Sequence, residues 1–524
     1  MTEVLVVGAG PVGLTAALEL RRRGVDCRIV DGLAAPIRYA KAVGVQPRTL
    51  ELWEAAGVLP AALAASGPML GQRVYRDGEL VAALDLDLPP DMPFAFATLP
   101  QYETERILAE ALAEHGTVAE RPVRLTAFDQ DADGVTATLD TGEEVRAHYL
   151  VGADGAHSLV RKGLGLTFEG GAFTDEYALG DVEIDWDMPR GYAIRVNKGD
   201  DLLVAIPLPG TQRYRVSMIA PPHLRTRPPA EGEIAHGFEG DRTPQLSDLQ
   251  DALDRLSPVP AKARTLRWSS VFRISHRIVD AYSRGRVFVA GDAAHIHPPT
   301  GGQGMNTGIQ DAINLAWKLA LAVRGEAAPG LLESYDLERR PVGEEVVGRT
   351  TKAASTGAMV GPADPWQALR REAQLLVGYR GSPIVAPEVA DLAAGLPQPG
   401  DRAPEAFGLR RELARFPVRL FELLTTPGHT VLLYVDSAAT AARLDEVVAA
   451  LPQVDVVAVL GPDQPIPVTG VTTVRDAENG FRTAYGAVDG TTVLIRPDNY
   501  VAARGTDLAT APLTQALSLT HAPT

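Results

Sequence analysis

An acidic residue and several glycines stand close together in residues 286–318, RVFVAGDAAHIHPPTGGQGMNTGIQDAINLAWK. The apolar run 287–290 predicts a short buried strand, and Asp292 follows at its carboxyl end. After a double proline, glycines 301, 302 and 304 precede a predicted amphipathic helix. Because a helix N-terminus offers free N–H groups and the positive end of a dipole, this segment predicts a site for an electron-rich ligand. An ordinary strand–loop–helix corner leaves the combination of acid, prolines and glycines unexplained.

A second glycine-rich loop lies near the N-terminus, in the run VLVVGAGPVG. A predicted strand over 4–7 precedes the loop, a predicted helix over 14–23 follows it, and a second strand over 27–30 ends at Asp31. In such a unit one glycine makes a tight turn, one lets the backbone approach a pyrophosphate, and one lets the helix pack on the strand. An acid about twenty residues further on can accept from ribose hydroxyls. The pattern predicts a dinucleotide-binding unit and does not distinguish FAD from NAD.

A third segment, VTATLDTGEEVRAHYLVGADG at 135–155, predicts two alternating strands and then an apolar run that ends in Gly-Ala-Asp-Gly. A strand that returned to the first sheet would place Asp154 near the cofactor phosphates. The helix after it carries Ser158, Arg161 and Lys162, whose charges could offset those of a phosphate-bearing ligand. Taken alone, the segment also fits a plain Asp-Gly turn with solvated basic residues.

Together, GAGPVG, GADG with SLVR, and GDAAHIHPPTGGQGMN resemble motifs of the single-component flavin-dependent aromatic hydroxylases. This is the group of para-hydroxybenzoate hydroxylase and phenol hydroxylase, including the bacterial aromatic polyketide hydroxylases. The resemblance extends over residues 1–345 and, more loosely, to the C-terminus. It implies an α/β FAD-binding Rossmann-type domain, an inserted antiparallel-sheet substrate domain and a C-terminal thioredoxin-like α/β domain.

The resemblance also implies which residues bind FAD, tightly and without a covalent bond. The first motif would hold the ADP part, Asp292 the ribityl chain, and the amides at 304–306 the pyrimidine end of the isoalloxazine, where reduced flavin carries negative charge. The residues implied are Gly8, Gly10, Pro11, Val12, Gly13, Asp31, Gly32, Lys41, Gln101, Leu125, Asp154, Asp292, Pro299, Gly301, Gly304, Met305 and Asn306.

The chain departs from the family pattern at two basic positions. Family members usually have arginine directly after the acid of the second strand, where this chain has Gly32. The family's Ser-Arg-Ala or Ser-Arg-Gly appears here as Ala40-Lys41-Ala42, and lysine lacks the bidentate fork of arginine. Arg48 is present near the start of a helix predicted over 49–56. The residue that receives NAD(P)H therefore stays open.

The activity implied by the resemblance is monooxygenation. Transiently bound NADPH or NADH would reduce FAD, O2 would add to give a C4a-hydroperoxide, and the terminal oxygen would pass to a phenolic or polycyclic aromatic substrate of polyketide type. The alternatives are a Baeyer–Villiger-type oxygenase on the same fold and a hydroxylase of a simple phenol. A halogenase-like enzyme or a flavin-binding protein without activity belongs to a different class, and the tryptophan-rich halogenase motif is not seen.

The candidate catalytic residues are His295, His297 and Arg195. A phenolate reacts better than a phenol, so the two histidines of the Gly-Asp loop are candidate proton relays, although a lone histidine is more often structural. In the alternating segments between 181 and 274, Arg195, Tyr192 and Met218 are candidates for the face towards the substrate. Alternation alone does not say which face looks inward.

The resemblance, together with shifts in composition along the chain, implies the domain boundaries. The FAD-binding domain is expected at 1–180 and 276–345, the substrate domain at 181–275, a helical connector at 346–397 and the thioredoxin-like domain at 398–524. A Pro- and Gly-rich stretch at 396–405 is expected to be a linker. Since Cys27 is the only cysteine, the last domain cannot be a redox module and is expected to serve packing or dimer contacts.

Charge and hydropathy restrict the partners. The formal net charge of -16 argues against nucleic acid or an anionic membrane as a partner. Neither a transmembrane span nor a signal peptide is visible, which favours a cytoplasmic enzyme. No metal site is expected, and a homodimer is left open. The small-molecule partners expected are an aromatic substrate and O2.

Overall fold

The structure, a computed structural model, describes residues 2–39, 41–225, 234, 237–238, 243–356, 364–465 and 470–523. The strands of these residues form sheets of seven, nine, six and three strands. None of the helices in the described ranges has the length and apolarity that a membrane span requires.

The strands, in chain order, are β1 Thr2–Val7, β2 Cys27–Val30, β3 Gly44–Val45, β4 Gly67–Pro68, β5 Gly71–Arg76, β6 Glu79–Asp85, β7 Ala97–Thr98, β8 Leu125–Gln130, β9 Val135–Leu139, β10 Glu144–Gly152, β11 Phe168–Trp186, β12 Tyr192–Lys198, β13 Asp201–Pro207, β14 Arg213–Ile219, β15 Gly237–Phe238, β16 Ala261–Val279, β17 Ser283–Arg284, β18 Val287–Val289, β19 His295–Ile296, β20 Leu409–Arg410, β21 Thr430–Val435, β22 Asp455–Leu460, β23 Thr472–Asp476, β24 Thr492–Ile495 and β25 Val501–Gly505. The α-helices are α1 Pro11–Arg22, α2 Pro47–Ala55, α3 Leu59–Ala65, α4 Gln101–Glu114, α5 Leu159–Gly163, α6 Leu246–Leu256, α7 Gly304–Val323, α8 Ser334–Thr356, α9 Pro365–Glu372, α10 Ala438–Ala441, α11 Leu444–Ala450, α12 Gly480–Tyr485 and α13 Ala511–Ser518. Short 3-10 turns lie at Pro222–Leu224, Gly291–Ala293, Thr300–Gly302 and Phe421–Leu423.

The seven-stranded sheet brings the three glycine-rich segments to one edge. Its central order is β18-β10-β1-β2, and these strands are parallel. They are apolar runs buried on both faces, as expected for central parallel strands covered by helices. Because the carboxyl ends of parallel strands meet at the same edge, the loops after β1, β10 and β18 become neighbours. Helix α1 packs against α7 and α4 beside this edge.

The nine-stranded sheet lies next in sequence and is antiparallel except where β12 pairs with β5. Helix α6 covers one of its faces, with a core that includes Ala178, Ile194, Leu203 and Val216. Because side chains alternate along a strand, the residues adjacent to these core residues in each strand point to the opposite face of the sheet.

The six-stranded sheet, ordered β20-β23-β22-β21-β24-β25, belongs to the C-terminal part of the chain. Strands β21, β22 and β23 are parallel, whereas β24 and β25 are antiparallel to their neighbours. Separate apolar clusters cover its two faces, so this part has a core of its own. The hairpin of this sheet joins β24 to β25 around residues 496–500.

A buried charge network joins the C-terminal part to the rest. The Arg496 guanidinium lies 2.7 Å from the nearest carboxylate oxygen of Glu338 and 2.7 Å from that of Asp498, and its side chain is completely buried. Lys318 reaches the same Glu338 carboxylate at 2.8 Å. Burial raises the pKa of Glu338, but Arg496 and Lys318 outweigh it and hold that pKa far below its usual value. The expected linker at 396–405 is likewise packed, since Gly400 N donates to the Val501 carbonyl at 2.7 Å.

Several predicted boundaries fall within continuous elements. The positions 180/181 and 275/276 lie inside β11 and β16, two strands of the nine-stranded sheet that pair with each other along almost their whole length. Strands β5 and β6, at 71–85, also join the nine-stranded sheet. The position 345/346 lies in the middle of α8.

Candidate active site

The glycines of the first loop have distinct roles. Gly8 has a φ of +101°, and a Cβ there would lie 2.3 Å from the Ala153 carbonyl oxygen. A Cβ on Gly13 would lie 1.8 Å from the Gly8 carbonyl oxygen. By contrast, a Cβ on Gly10 would meet nothing within 4 Å. Gly8 and Gly13 are thus required by packing, whereas Gly10 faces open space where a pyrophosphate can approach the backbone.

Pro11 and Val12 start helix α1 and connect the first loop to the third. Pro11 occupies the first helical turn, where its missing N–H costs nothing. A Cβ on Gly291 would lie 2.8 Å from the Val12 side chain, and one on Gly308 would lie 2.7 Å from it. Val12 therefore packs into a gap that two glycines leave open, which holds the Gly-Asp loop and α7 against α1.

Asp31 is held by the first loop and by an arginine that the sequence analysis missed. Its Oδ2 accepts from Ala9 N at 2.7 Å, and its Oδ1 accepts from Arg121 Nη1 at 2.8 Å. Arg121 Nη2 also donates to the Ala9 carbonyl at 3.1 Å. A Cβ on Gly32 would lie 2.9 Å from Arg124 Nε. This chain has Gly32 where family members usually have arginine. Arg121 and Arg124 therefore supply the positive charge near Asp31.

Asp154 caps a helix and keeps one oxygen without a partner. Its Oδ2 accepts from the N–H groups of Leu159 at 2.7 Å and Val160 at 3.1 Å, while its buried Oδ1 makes no hydrogen bond. Burial raises the pKa of Asp154. The expectation that Arg161 offsets a ligand charge is wrong, because its buried guanidinium donates to the carbonyls of Ala156 and Ala293.

Lys41 and Asp292, far apart in sequence, form an ion pair. Lys41 Nζ lies 2.8 Å from Asp292 Oδ2, and both side chains are about one-third exposed (31% and 34%). Asp292 lies in the 3-10 turn directly after β18, where the positive φ of Gly291 (+60°) turns the chain. The structure thus places two residues of the predicted cofactor set together at the edge of the parallel sheet.

The N-terminus of α7 lies beside this pair and is fixed by Asn306. The Asn306 side chain is buried; its oxygen accepts from Gln46 N at 2.9 Å and from the Thr49 hydroxyl at 2.7 Å, and its amide donates to the carbonyls of Gly44 and Gly302. Only the Asn306 backbone is therefore available to a ligand. Pro299, Gly301, Gly304 and Met305 complete the turn, in which Gly301 and Gly302 have φ values of +74° and +64°.

Gln101 is the first residue of α4, and Leu125 is the first residue of β8. Gln101 Oε1 accepts from Ala42 N at 3.0 Å, which holds the segment beside Lys41, and its amide donates to Glu105 at 2.9 Å. Burial raises the pKa of Glu105 to about 7. Leu125 is buried at the start of β8.

His295 is not positioned as a proton relay. Its side chain is 1% exposed, and its Nε2 lies 2.8 Å from Asp311 Oδ2. Arg339 contacts the other oxygen of Asp311 at 2.8 Å. Burial raises the pKa of Asp311, but Arg339 and His295 outweigh it and lower that pKa. The prediction for His295 is corrected here: it belongs to an internal ion-pair network, which the sequence could not show because both partners are distant in the chain.

His297 lies next to the cofactor loop. Its Nδ1 donates to the Pro298 carbonyl at 2.9 Å, and its buried Nε2 has no hydrogen-bond partner. A Cβ on Gly304 would lie 3.3 Å from Nε2. Burial and, after it, the neighbouring His295 lower the pKa of His297 to about 4. The imidazole is therefore neutral at pH 7, with Nε2 as an acceptor beside Gly304.

The low pKa of His297 makes stability depend on pH. Since the folded-state pKa of about 4 lies below the ordinary value of 6.5, the unfolded chain binds more protons between these pH values, and stability falls as pH decreases from 6.5 to 4. Asparagine at this position can still donate to the Pro298 carbonyl but does not titrate. We therefore expect the free energy of unfolding of His297→Asn to fall by about 3 kcal/mol less than that of wild type over this pH range. Urea unfolding of both proteins from pH 7 to 4 measures it. Parallel stability curves would show that His297 does not titrate in this way.

Arg195 lies on the sheet face opposite α6, whereas Tyr192 and Met218 do not. Ile194 and Val196 point into the core under α6, so Arg195 between them points to the other face, with its Nε buried and unpartnered. Met218 and Tyr192 pack with the core on the α6 side. The placement of those two towards the substrate is therefore wrong, and the reason is the two-residue period of a strand.

The face that carries Arg195 packs against the cofactor loops. Arg213 Nη2 donates to the Tyr102 hydroxyl of α4 at 2.8 Å. Ile206 on the same face packs with Val43 and Tyr102. The ring of Tyr39 stacks on Trp268, with centroids 4.9 Å apart. These contacts place Tyr39 and Val43, which stand two residues before and after Lys41, against this face. Since Lys41 pairs with Asp292, the face looks towards the Gly-Asp loop.

Arg48 is not available to a nicotinamide cofactor. Its side chain is completely buried, pairs with Glu51 at 3.0 Å and donates to the Asp498 carbonyl at 2.8 Å. Lys41, whose side chain is partly exposed, is a better candidate than Arg48 for contact with that cofactor. Within the described ranges, no group of histidine, cysteine and acidic side chains could hold a metal ion.

Comparison with known proteins identifies the family. Residues 1–350 match the family described as FAD binding domain, and residues 396–522 match that described as aromatic-ring hydroxylase, C-terminal. The chain is 35% identical to the 6-methylpretetramide 4-monooxygenase of Streptomyces rimosus, over 99% of this chain and 93% of that protein. The chain belongs to the FAD-dependent aromatic-ring hydroxylases.

Two further aromatic-ring hydroxylases are similar over almost the full length. The pentachlorophenol 4-monooxygenase of Sphingobium chlorophenolicum is 32% identical, over 96% of this chain and 93% of that protein. The solved structure of aklavinone-11 hydroxylase in a ternary complex with FAD and aklavinone has a TM-score of 0.76 and 28% identity, over 99% and 98% of the two chains.

The residues of this aromatic-ring hydroxylase fit FAD. Gly10 leaves open space in front of a helix N-terminus, as a pyrophosphate needs. A Cβ on Gly8 would lie 3.0 Å from the Asp154 Cα, and Asp154 keeps a buried carboxylate oxygen without a partner. The α7 N-terminus has no side-chain cap, so its free amides can stabilise an electron-rich ring.

Asp292→Ala is expected to weaken FAD binding by roughly 10- to 100-fold, because a charged hydrogen-bond acceptor is lost. Lys41 is partly exposed, so losing its partner should cost the fold little. Asp280→Ala, which removes an exposed acid paired with Arg284, is the matched control and should bind FAD normally. Titration of each apoprotein with FAD measures the dissociation constants. Full flavin content of Asp292→Ala after dialysis would contradict the assignment.

Proposed function

We propose that this chain is an FAD-dependent monooxygenase that uses NAD(P)H and O2 to hydroxylate a phenolic or polycyclic aromatic substrate of polyketide type. The observation that carries the proposal is the convergence of Gly10, the Lys41–Asp292 pair and the α7 N-terminus beside one face of the nine-stranded sheet. Bound flavin, once reduced, supplies the activation of O2 for transfer of one oxygen atom.

The described residues supply binding, orientation and exclusion of water. Gly10 and the α1 N-terminus would hold the pyrophosphate, Asp31 with Arg121 the ribose, and Asp292 the ribityl chain. The amides at 304–306 would face the isoalloxazine and stabilise its negative charge. Pro299 and the sheet face with Arg195 would form the walls of the substrate site, which must keep water away from the reacting atoms. His297, neutral at pH 7, would accept a hydrogen bond beside Gly304.

Lys41 is the proposed contact for the nicotinamide cofactor during its transient visit. Its ammonium is partly exposed and already faces the Asp292 carboxylate. A single dinucleotide-binding fingerprint is present, so NADPH or NADH would approach the flavin from the surface rather than occupy a domain of its own.

The domain roles follow from the sheets. The seven-stranded sheet with α1 and α7 would be the FAD-binding unit, and the inserted nine-stranded sheet the substrate-binding unit. In the C-terminal sheet, β21, β22 and β23 pair in parallel, whereas β20, β24 and β25 pair antiparallel with their neighbours, and this agrees with a thioredoxin-like arrangement. Its buried ion pairs with Glu338 support a packing role within the chain, and a homodimer contact would lie elsewhere on its surface.

Purified protein tests the proposal. It should be yellow with bound FAD, and phenols and polycyclic hydroxyquinones should stimulate its oxidation of NADPH or NADH. Products with one added oxygen and intact rings support hydroxylation, whereas ring-expanded or opened products indicate the Baeyer–Villiger alternative. A colourless protein that gains no flavin absorbance on incubation with FAD contradicts the proposal.

A further inference from the structure

Arg215 is a buried cation without a carboxylate of its own. The residue is 6% exposed, and its Nε and Nη1 make no hydrogen bond. The nearby carboxylate, Asp181, is occupied by Arg213, whose Nε lies 2.9 Å from Oδ1 and whose Nη2 contacts Oδ2. Buried arginines are normally paired and hydrogen-bonded, so this one requires an explanation.

Arg215 lies on the sheet face that packs against the cofactor loops. In the strand register it stands opposite Ile206 on β13 and Asp181 on β11. Ile206 packs with Val43, two residues after Lys41, and with Tyr102 of α4. The unpaired guanidinium is therefore in the wall of the space between the sheet and the Gly-Asp loop.

Aromatic rings border the guanidinium. Its central carbon lies 5.4 Å from the ring centroid of Trp268, and the Tyr39 ring stacks on Trp268 with centroids 4.9 Å apart. A flat aromatic ligand can pack with such rings while an oxygen on it meets the cation. Burial lowers the pKa of Arg215 to about 10, so the group is still charged at neutral pH.

We propose that Arg215 recognises the substrate through an anionic oxygen on its aromatic ring, and that the enzyme therefore binds acidic phenols of polycyclic compounds as phenolates. This rests on the proposed monooxygenase function and names the substrate class of the same site. A phenolate is also the more reactive form towards oxygen transfer, so the same contact would favour the reaction without a protein base. A second arginine on this face, Arg195, stands two strands away, about 10 Å across the sheet, with a buried and unpartnered Nε.

The test uses FAD-loaded protein and three probes of similar shape. Alizarin is a dihydroxyanthraquinone whose absorption shifts to the red when its phenol ionises, anthraquinone-2-carboxylate carries a carboxylate, and anthraquinone is neutral. Spectral titration over a pH series gives the affinity of each probe and the ionisation midpoint of bound alizarin. The variants are Arg215→Met, Arg215→Lys and the control Arg264→Met, an exposed arginine of the same sheet that pairs with Asp185.

Wild type and Arg264→Met should bind alizarin as its anion, with the midpoint displaced to lower pH. Arg215→Met should bind alizarin at least about tenfold more weakly than wild type, and its ionisation midpoint should no longer be displaced. Arg215→Lys should restore part of the affinity and part of the displacement. Binding of anthraquinone itself should not change. Tight binding of the carboxylate probe with no alizarin shift would overturn the phenolate assignment, as would failure of wild type to bind alizarin.

Thermal stability separates recognition from a structural role. Because Arg215 has no ion-pair partner to lose, Arg215→Met should melt within about 5 °C of wild type or above it. A larger fall, or unchanged alizarin binding by Arg215→Met, would overturn the proposal. Loss of NADPH oxidation with every aromatic compound, in protein that still shows the alizarin shift, would instead contradict the monooxygenase function and leave the recognition role standing.

Discussion

Gly13→Ala is expected to lower the free energy of unfolding by about 3 kcal/mol and to abolish FAD binding. The new Cβ would lie 1.8 Å from the Gly8 carbonyl oxygen, a backbone atom that cannot move without opening the loop. Gly8 in turn lies against Ala153, so the displacement would reach the Gly-Ala-Asp-Gly segment at 152–155 as well. Urea unfolding and flavin absorbance after gel filtration measure the two effects.

Gly10→Ala is the matched control in the same loop. Its Cβ would meet no protein atom within 4 Å, and the backbone at residue 10 has an ordinary extended conformation. Stability should therefore stay within about 0.5 kcal/mol of wild type. FAD binding should nevertheless weaken, because the Cβ enters the space proposed for the pyrophosphate. Normal FAD affinity of Gly10→Ala would show that the pyrophosphate lies elsewhere.

Arg496→Met is expected to destabilise the protein by roughly 3–5 kcal/mol. The substitution leaves the buried carboxylates of Glu338 and Asp498 with fewer positive partners, and it removes the guanidinium that packs between Trp317, Tyr379 and Tyr500. The effect should appear in the unfolding of the C-terminal part and of α8 together, because the ion pair joins them. Chemical unfolding followed by tryptophan fluorescence measures it.

Arg410→Met is the control for this substitution, since Arg410 is about half exposed and pairs with the exposed Glu478. Its stability should change by less than about 1 kcal/mol. If Arg496→Met were as stable as Arg410→Met, the network would not hold the C-terminal part in place. The packing role proposed for that part would then lose its main support.

The three glycine-rich segments could be predicted from the sequence because each is local. A strand, a turn and a helix start within about a dozen residues define each segment, and parallel pairing then brings their ends together without further information. The convergence of Gly8, Asp154 and Asp292 at one edge is the result. The alternating strands at 192–219 were predictable for the same reason.

The contacts between distant segments could not be predicted in this way. Arg121 reaches Asp31 across ninety residues, and Lys41 meets Asp292 across 251. The His295–Asp311 pair depends on how α7 packs under the Gly-Asp loop. In each case the partner is determined by tertiary packing and not by spacing in the sequence.

The face of the nine-stranded sheet that looks towards the cofactor loops also needed the structure. Alternation shows that Ile194 and Arg195 point to opposite faces, but both faces of this sheet are covered, one by α6 and the other by the loops around Lys41. Arg215 went unnoticed because an arginine on an alternating strand is normally solvated. Its burial without a partner is what makes it informative.

Incorporation of isotope from heavy-oxygen-labelled O2 into the product tests the central claim most directly. With NADPH and a polycyclic phenol that stimulates its oxidation, the FAD-loaded enzyme should release a product that carries one labelled oxygen atom on an intact ring system. A product whose added oxygen is unlabelled, or NADPH oxidation that yields only hydrogen peroxide with every aromatic compound tested, would contradict the monooxygenase account.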